Sequence, residues 1–488
     1  MSGNYLMGDS GKYETVVGLE VHAQLLTDTK LFCGDSTQFG AEPNTHISPV
    51  TLGYPGTLPV LNKQAVAFAI KMGFACHSEI ERHNYFARKN YFYPDLPKGY
   101  QISQHTTPVC KGGFVRISSS AGEKCIQLNR IHLEEDAGKS IHDRDQDYTC
   151  LDFNRAGVPL IEIVTEPCLS SGDEAATYLL NLRRILRYLE ICDGNMEEGS
   201  MRCDANISVR KKGETALGTK VEVKNLNSIR NVKRAIEYEA GRMMEDIEKG
   251  EIILQQTRRF DAVSGITASM RSKEEANDYR YFPDPDLPPF QVTDAFLQNI
   301  KENIPELPEA LIDRYTRQYH LPRYDAEVIC DDKETSDYFE LLIKQTGAFK
   351  AAANWLLGPV KSYLNENNLS IHQLSLKPSS LASLILMVEE GKISFSIASS
   401  RIFPELAGGA ESDPLQLAVR LNLLQTGDED QIQQWVMQAL EKMPEKVAEY
   451  KKGKKGLLGL FVGEVKKISK GKADPKLTNQ LLIETLEK

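Results

Sequence analysis

The segment Tyr13-Glu-Thr-Val-Val-Gly-Leu-Glu-Val-His-Ala-Gln-Leu25 alternates between apolar and polar residues from Val17 onward. Successive side chains of a β-strand point to opposite faces, so the alternation predicts a strand with one buried and one polar face. The residues on the polar face are Glu20, His22 and Gln24. Similar alternation in residues 201–209 and 220–224 predicts further strands.

Helical periodicity interrupts this strand-rich part twice. One predicted helix follows Ser171 as N-cap, and the other ends at Gly250. After the proline-rich segment 281–289, apolar residues recur at helical spacing from Glu306 onward. The sequence therefore predicts an α+β protein with three parts: a β-rich antiparallel domain (residues 1–295), a helical domain (296–410) and a small helical tail (411–488).

The charge of the chain is distributed unevenly. The 488 residues carry a net charge of −10, yet the segment 451–476 has nine lysines and two acids, which leaves −17 for the remainder. A basic segment favours a polyanionic partner such as RNA, although a solvated basic face remains an alternative. The lysines that we expect to contact RNA are Lys451, Lys452, Lys454, Lys455, Lys466, Lys467, Lys470 and Lys472.

Several predicted strands carry acidic residues on a polar face. Glu20 and His22 project to the same side of one strand, and Arg202 and Asp204 share a face of another. Glu162 lies inside an apolar run, where an ionised carboxylate needs a cation or hydrogen-bond donors. Such strands can form an oxygen-rich pocket for Mg²⁺, and the histidine would suit Mn²⁺ or Zn²⁺. The alternative is that these residues mark the solvated face of an antiparallel sheet.

Phosphate binding has no familiar motif in this sequence. It contains neither a complete P-loop nor G-x-G-x-x-G, so a nucleotide would have to bind through metals and basic side chains. The best candidate is Arg88-Lys-Asn-Tyr-Phe-Tyr-Pro-Asp95, whose cations and aromatic rings suit phosphates and a stacked base. Segment 200–206, with Arg202, is similar in kind. A basic strand end with aromatic residues in the core remains the alternative.

Motifs spread over essentially the whole chain resemble the GatB family, the B subunits of tRNA-dependent amidotransferases. They are Gly18-Leu-Glu-Val-His22, Arg88-Lys-Asn-Tyr-Phe-Tyr-Pro-Asp95, Tyr100-Gln-Ile-Ser-Gln104, Leu133-Glu-Glu-Asp-Ala-Gly-Lys139, Pro159-Leu-Ile-Glu-Ile-Val164, Glu197-Glu-Gly-Ser-Met-Arg-Cys-Asp-Ala-Asn206, Lys224-Asn-Leu-Asn-Ser228, Tyr279-Arg-Tyr-Phe-Pro283, Pro305-Glu-Leu-Pro-Glu309 and Gly471-Lys-Ala-Asp-Pro475. The resemblance implies that the first domain is a catalytic cradle and that the tail is YqeY-like and holds the tRNA.

The resemblance also implies an activity and partners. A carbon–nitrogen ligase of this kind would use ATP and Mg²⁺ to phosphorylate the side chain of misacylated Glu-tRNA(Gln), and also of Asp-tRNA(Asn). Ammonia would then displace the phosphate to give the amide. The sequence has no amidase-like stretch that could release ammonia from glutamine. An amidase A subunit is therefore expected as a partner, with a small C subunit completing a heterotrimer.

The resemblance assigns residues to the catalytic site. It implies that His22, Glu135 and Glu162 hold one metal ion, and that Glu20 and Asp204, with Glu135 shared, surround a second near the ATP phosphates. Catalytic roles fall to Glu20, Glu135 and Asp204. In an ideal strand Glu135 points away from Glu134, so its role requires a twist or bulge. The residues expected near the nucleotide or the acceptor end of the tRNA are Lys89, Asn90, Tyr91 and Arg202.

Composition favours a cytoplasmic protein. Nine scattered cysteines without a C-x-x-C pair fit free thiols in a reducing compartment, and neither a membrane span nor a targeting segment is expected. Two other functions remain open. One is a free-standing ATP-dependent ligase for a small acid, which the lysine-rich tail disfavours, and the other is a tRNA scaffold whose carboxylates are structural.

Overall fold

The computed structural model describes residues 11–119, 122–142, 144–145, 147–270, 279–409, 413–425, 429–469 and 471–487. Its contacts divide the chain into two compact units, Met1–Leu307 and Pro308–Lys488. The boundary between the two units, after Leu307, lies near residue 295, where the first domain is predicted to end. The further division at residue 410 stays a prediction.

The described part of the first unit contains seventeen strands, and thirteen of them form one large sheet. The strands are β1 Tyr13–Gln24, β2 Glu79–Ile80, β3 His83–Asn84, β4 Ala87–Asn90, β5 Tyr100–Ser103, β6 Cys110–Lys111, β7 Phe114–Ser119, β8 Gly122–Glu135, β9 Lys139–Ile141, β10 Cys150–Asp152, β11 Pro159–Thr165, β12 Met201–Lys211, β13 Val221–Leu226, β14 Gln256–Asp261, β15 Ile266–Ser269, β16 Phe282–Pro283 and β17 Phe290–Gln291. The main path runs β15-β14-β13-β12-β1-β11-β8-β5-β4-β16, with β6 and β7 beside β8 and β2 beside β6.

The sheet is mixed, although antiparallel pairing dominates it. Only β13 and β14 run parallel among the described strands. Two short pairs, β9 with β10 and β3 with β17, lie outside the large sheet.

The α-helices of the two units are α1 Lys63–Ala75, α2 Gly172–Tyr188, α3 Ile229–Glu248, α4 Asp294–Glu302, α5 Pro308–Arg317, α6 Arg323–Ile329, α7 Lys333–Thr346, α8 Phe349–Trp355, α9 Lys361–Asn367, α10 Pro378–Glu389, α11 Phe395–Ile397, α12 Phe403–Ala407, α13 Pro414–Arg420, α14 Glu429–Glu441, α15 Pro444–Lys451, α16 Leu458–Ile468 and α17 Pro475–Glu487.

The two faces of β1 have the characters that its alternation predicts. Leu19 and Val21 are buried and share one hydrophobic core with Leu179 of α2 and Ile236 of α3. His22 and the other polar residues face the opposite side and are only partly buried. Helices therefore cover one face of the sheet, and the second face is left for polar chemistry.

Capping explains where α2 and α3 begin. The side chains of Ser171 and Ser228 accept hydrogen bonds from the backbone N–H groups of Glu174 and Asn231, both over 3.2 Å, and satisfy donors at the helix N-termini. Gly250, just beyond the end of α3, has φ of 79°, a left-handed conformation that favours glycine. Both predicted helices of the first unit are therefore present.

Among its described residues, the second unit contains helices joined by loops. Helices α14, α16 and α17 share a hydrophobic cluster that includes Val436, Phe461 and Leu482. The predicted α+β class, strand-rich first and helical afterwards, is confirmed. Within the described parts of the chain, every helix is too short or too polar to cross a lipid bilayer.

Candidate metal and nucleotide site

Strand register brings polar residues from distant parts of the chain into one row. His22 of β1 lies opposite Glu162 of β11, which in turn lies opposite His132 of β8. On the other side of β1, His22 lies opposite Arg202 of β12. Directly paired residues share a sheet face, so these side chains all lie on the polar face.

A compact group of ligand atoms forms at this row. His22 Nε2 lies 3.5 Å from Glu134 Oε1 and 3.5 Å from Glu162 Oε2. The three donor atoms all fall within 4.8 Å of one another. Both carboxylates are buried, at 3% and 9% exposure. A cluster of one imidazole and two carboxylates suits a divalent cation, and the nitrogen ligand suits Mn²⁺ or Zn²⁺ better than Mg²⁺.

The charges of this cluster depend on one another. Burial alone would raise the pKa of Glu162, but His132 and His22 hold that pKa well below its usual value. Burial opposes the charge of His132, yet Glu162 and Glu134 raise the pKa of His132 to about 9. Burial opposes the charge of His22 in the same way, and Glu162 and Glu134 raise its pKa. The positive charges of the two histidines thus compensate the negative charges of the two buried carboxylates.

The second predicted position is two residue pairs further along β1 and β12. Glu20 lies opposite Asp204, and its carboxylate accepts a hydrogen bond from Asn206 Nδ2 over 2.9 Å. Burial, followed by the charge of Glu162, raises the pKa of Glu20. Lys224 Nζ lies 3.2 Å from Asp204 Oδ2. Glu20 and Asp204 are therefore neighbours as expected, with a lysine beside them that the sequence analysis did not include in the site.

Glu135 lies on the other side of β8, away from His22. Lys98 Nζ lies 2.5 and 2.7 Å from its two carboxylate oxygens, and the backbone N–H of Ile102 donates to it over 2.9 Å. The register shift in the pairing of β8 with β11 falls at Val164/Thr165, at the far end from Glu135. Within this described strand pair no bulge turns Glu135 over, and the position expected for it beside His22 belongs to Glu134. The position of Glu135 thus differs from the one that the resemblance implied, and its role stays a prediction.

Arg202 borders the cluster and is held by a buried acid. Its Nη2 lies 2.9 Å from Asp136 Oδ2, which also accepts a hydrogen bond from Gln24 Nε2 over 2.8 Å. Burial favours the protonated form of Asp136, but Arg202 and Arg155 lower its pKa. Arg202 Nε is buried without a hydrogen-bond partner among the described residues. A guanidinium with an unsatisfied donor can bind a phosphate or a carboxylate.

Lys89, like Arg202, is close enough to the cluster to interact with its charges. Its ammonium lies 4.8 Å from the ring centre of Tyr279 and 5.8 Å from that of Tyr91. Burial opposes its charge, but Glu134 and other neighbours raise its pKa. Asn90 instead donates to the carbonyl of Arg280 over 2.9 Å, which fixes a neighbouring segment. Lys89 and Tyr91 fit a bound anion and a base better than Asn90 does.

The predicted RNA-binding lysines divide into two groups within the second unit. Lys454 pairs with Glu449 at 3.0 Å, and Lys455 pairs with Glu487 at 3.4 Å. The predicted lysines that form no ion pair with any described residue are Lys451, Lys452, Lys466, Lys467 and Lys472. Lys470 lies outside the described residues. The unpaired group has its charge available for phosphate groups.

Strand parity could have identified one residue that the sequence analysis missed. Glu134 is two residues from His132, so both must face the same side of β8. The sequence analysis assigned no role to His132. Lys224 and Asp136 carry no signal of their own, because their proximity depends on which strands pair.

Comparison with known proteins finds similarity over most of the chain. Residues 15–298 match the GatB/GatE catalytic domain, and residues 337–486 match the GatB domain. The B subunit of the aspartyl/glutamyl-tRNA(Asn/Gln) amidotransferase of Thermodesulfovibrio yellowstonii is 49% identical over 98% of this chain and 100% of its own length. The proteins of the same name from Caldicellulosiruptor bescii and Chlorobium chlorochromatii are also 49% identical, over 98% and 97% of this chain and 100% and 99% of their own lengths. The chain therefore belongs to the GatB family.

Proposed function

We propose that this chain is the transamidation subunit of a tRNA-dependent amidotransferase. Its substrate would be misacylated Glu-tRNA(Gln), with Asp-tRNA(Asn) as a second substrate, and its products Gln-tRNA(Gln) and Asn-tRNA(Asn). The observation that carries the proposal is the buried cluster of His22, Glu134 and Glu162 on the polar face of the sheet. The names of the full-length relatives support the same reaction class.

The chemistry requires activation because a carboxylate is a poor electrophile. A side-chain oxygen of the glutamyl or aspartyl group attacks the γ-phosphorus of ATP, the bond to ADP breaks, and an acyl phosphate forms. Ammonia then attacks the carbonyl carbon, loses a proton, and phosphate leaves with its bonding electrons. The first step brings a carboxylate and the phosphates of ATP together, and the second releases a phosphate anion, so the site needs fixed positive charge near the reacting atoms.

Residues of this chain would supply that charge and the metal ligands. His22, Glu134 and Glu162 would hold one divalent cation, and Glu20 and Asp204 would border a second position. Divalent cations offset phosphate charge and polarise the reacting oxygens. The cations Arg202 and Lys89, with the ring of Tyr91, would bind and orient the phosphates and base of the nucleotide or the aminoacyl end of the tRNA.

The proposed reaction requires partners. Because the sequence carries no amidase-like stretch, ammonia would come from the glutaminase activity of an amidase A subunit, with a small C subunit completing a heterotrimer. The unpaired lysines of residues 451–472 would bind the tRNA body through its phosphates. We place this complex in the cytoplasm, where tRNA is aminoacylated and where nine free cysteines stay reduced.

The test uses Glu20→Gln and Asp204→Asn in the assembled enzyme. Each variant should abolish transfer of the labelled γ-phosphate of ATP to Glu-tRNA(Gln), while the dissociation constant for the tRNA stays within about twofold. A matched control is Glu14→Gln, because Glu14 lies on the same strand but pairs with Arg210 at 3.0 Å, far from the cluster. Unchanged transamidation in both site variants would refute the catalytic role of this face.

A further inference from the structure

Two histidines approach the same pair of carboxylates from neighbouring positions. His22 Nε2 lies 3.5 Å from one oxygen of Glu134 and 3.5 Å from one oxygen of Glu162. His132 Nε2 lies 3.3 Å from Glu162 Oε2 and 3.8 Å from Glu134 Oε2. These distances alone would allow either imidazole to be a metal ligand.

The far side of the His132 ring distinguishes the two. Arg130 Nε donates a hydrogen bond to His132 Nδ1 over 3.4 Å. A guanidinium nitrogen can only donate, so Nδ1 of the neutral ring presents its lone pair and the ring proton is on Nε2. With Nδ1 of His132 occupied by Arg130, the nitrogen of His132 that faces the carboxylates is a donor without a lone pair for a cation.

Position in the sheet supports the same distinction. His132 is 3% exposed, whereas the side chain of His22 is 21% exposed. Glu162 lies between the two rings in the register, with His22 opposite it on β1 and His132 opposite it on β8. His132 thus contacts Glu162 from the side that is closed to solvent, and His22 contacts it from the side that is partly open.

We propose that His22 supplies the imidazole ligand of the metal ion and that His132 is a positioning residue whose Nε2–H orients the carboxylate of Glu162. This division of roles rests on the metal site of the proposed function and extends it. Groups that hydrogen-bond to metal ligands fix their orientation, and their loss lowers metal affinity by about 10–100-fold. His132 would therefore affect affinity without entering the coordination sphere.

The test is Mn²⁺ binding by the full-length chain after its metal has been removed with a chelator. Pulsed electron paramagnetic resonance on protein containing ¹⁵N-histidine counts the histidine nitrogens bound to Mn²⁺. We expect one such nitrogen in the unaltered chain, none in His22→Ala and one in His132→Ala. The dissociation constant for Mn²⁺ should rise about 10–100-fold in His132→Ala. It should recover in His132→Gln, whose amide N–H can stand near the position of the imidazole Nε2.

The outcomes separate the positioning role of His132 from the metal site of the proposed function. Two histidine nitrogens in the unaltered chain, or an unchanged dissociation constant in His132→Ala, would overturn the positioning role and leave the metal site in place. If the unaltered chain bound no Mn²⁺ through histidine, both the positioning role and the proposed metal site would be overturned. A count of one nitrogen in the unaltered chain fits either ring, so His132→Gln, which keeps an amide donor, provides the assignment if His132→Ala fails to fold: one bound nitrogen supports His22 as the ligand, and none overturns it.

Discussion

Glu134 and Glu135 are adjacent in the sequence, yet their carboxylates lie on opposite faces of β8. Glu134 Oε1 lies 3.5 Å from His22 Nε2, whereas Glu135 Oε1 lies 2.5 Å from Lys98 Nζ. The two acids therefore belong to different environments. Glu134 shares His22 and His132 with Glu162, and Glu135 forms an ion pair with Lys98 on the opposite face of the sheet.

Isosteric substitution of these two acids should separate their roles. Glu134→Gln removes one of two carboxylates from the cluster, so we expect the dissociation constant for Mn²⁺ to rise at least about tenfold. Glu135→Gln leaves the cluster intact and should change that constant by less than about twofold. Calorimetric titration of the metal-free chain measures both. A larger effect from Glu135→Gln would restore the placement that the resemblance implied.

The pH dependence of stability offers a second measurement. The folded-state pKa of His132 is about 9, above its ordinary value of 6.5, so its protonation stabilises the fold fully below pH 6.5 and this contribution is lost as pH rises towards 9. The pKa of His22 is shifted in the same direction. We expect the melting temperature of the metal-free chain to fall between pH 6.5 and 8. The fall should be smaller in His132→Gln.

The pH window and a control keep this measurement interpretable. Burial lowers the pKa of Lys30 to about 8, so Lys30 makes stability rise with pH above that value and would mask the effect of His132. The control variant is His142→Gln, because His142 is exposed and contacts Thr149 Oγ1 at 3.1 Å. Equal slopes in the unaltered chain and His132→Gln would contradict the coupling of His132 to the two carboxylates.

The sequence predicted the polar face of β1 correctly because period-two alternation determines which residues share a face. It did not predict which strands are neighbours, and the row of Arg202, His22, Glu162 and His132 depends on that pairing. The difference at Glu135 has another origin. Strand parity places Glu134 and Glu135 on opposite faces of one strand, whereas the resemblance implied a metal-ligand role for Glu135.

Helix α1 was missed for a physical reason. Within Lys63–Ala75 only three side chains are polar, namely Lys63, Gln64 and Lys71, so no polar face alternates with an apolar one. Such a helix is recognisable by its burial, which sequence periodicity does not report. In the structure α1 packs against β8 in the main core.

Close packing of α1 leads to a third prediction. A Cβ at Gly73 would lie 2.8 Å from Ile80 Cδ1 and closer still to Cys110 Sγ, so Gly73→Ala should lower the free energy of unfolding by about 1–3 kcal/mol. The matched control is Gly241→Ala in α3, where a Cβ meets nothing within 4 Å. There the higher helix propensity of alanine should raise stability by up to about 1 kcal/mol. Denaturant titration compares the two, and destabilisation by both would contradict the packing argument.

The tail provides the last prediction, because its lysines differ in whether their charge is already neutralised. Lys466 and Lys467, in the last turn of α16, form no ion pair with any described residue, whereas Lys454 pairs with Glu449 at 3.0 Å. Each lysine that contacts a phosphate releases counterions, so Lys466→Ala and Lys467→Ala should each weaken tRNA binding and reduce the slope of log K against log salt by about 1.

Lys454→Ala serves as the control for these variants. Its ammonium has an acidic partner within the chain, so its removal should change the salt slope by much less. Lys466 and Lys467 also lie at a helix C-terminus, where positive charge is favourable, so melting temperatures must be compared to show that the tail stays folded. The measurement is tRNA binding between about 50 and 200 mM salt, a range over which phosphate contacts change affinity strongly. If all three variants reduced the slope equally, local ion pairing would not determine which lysines meet the RNA. If none did, RNA would bind elsewhere.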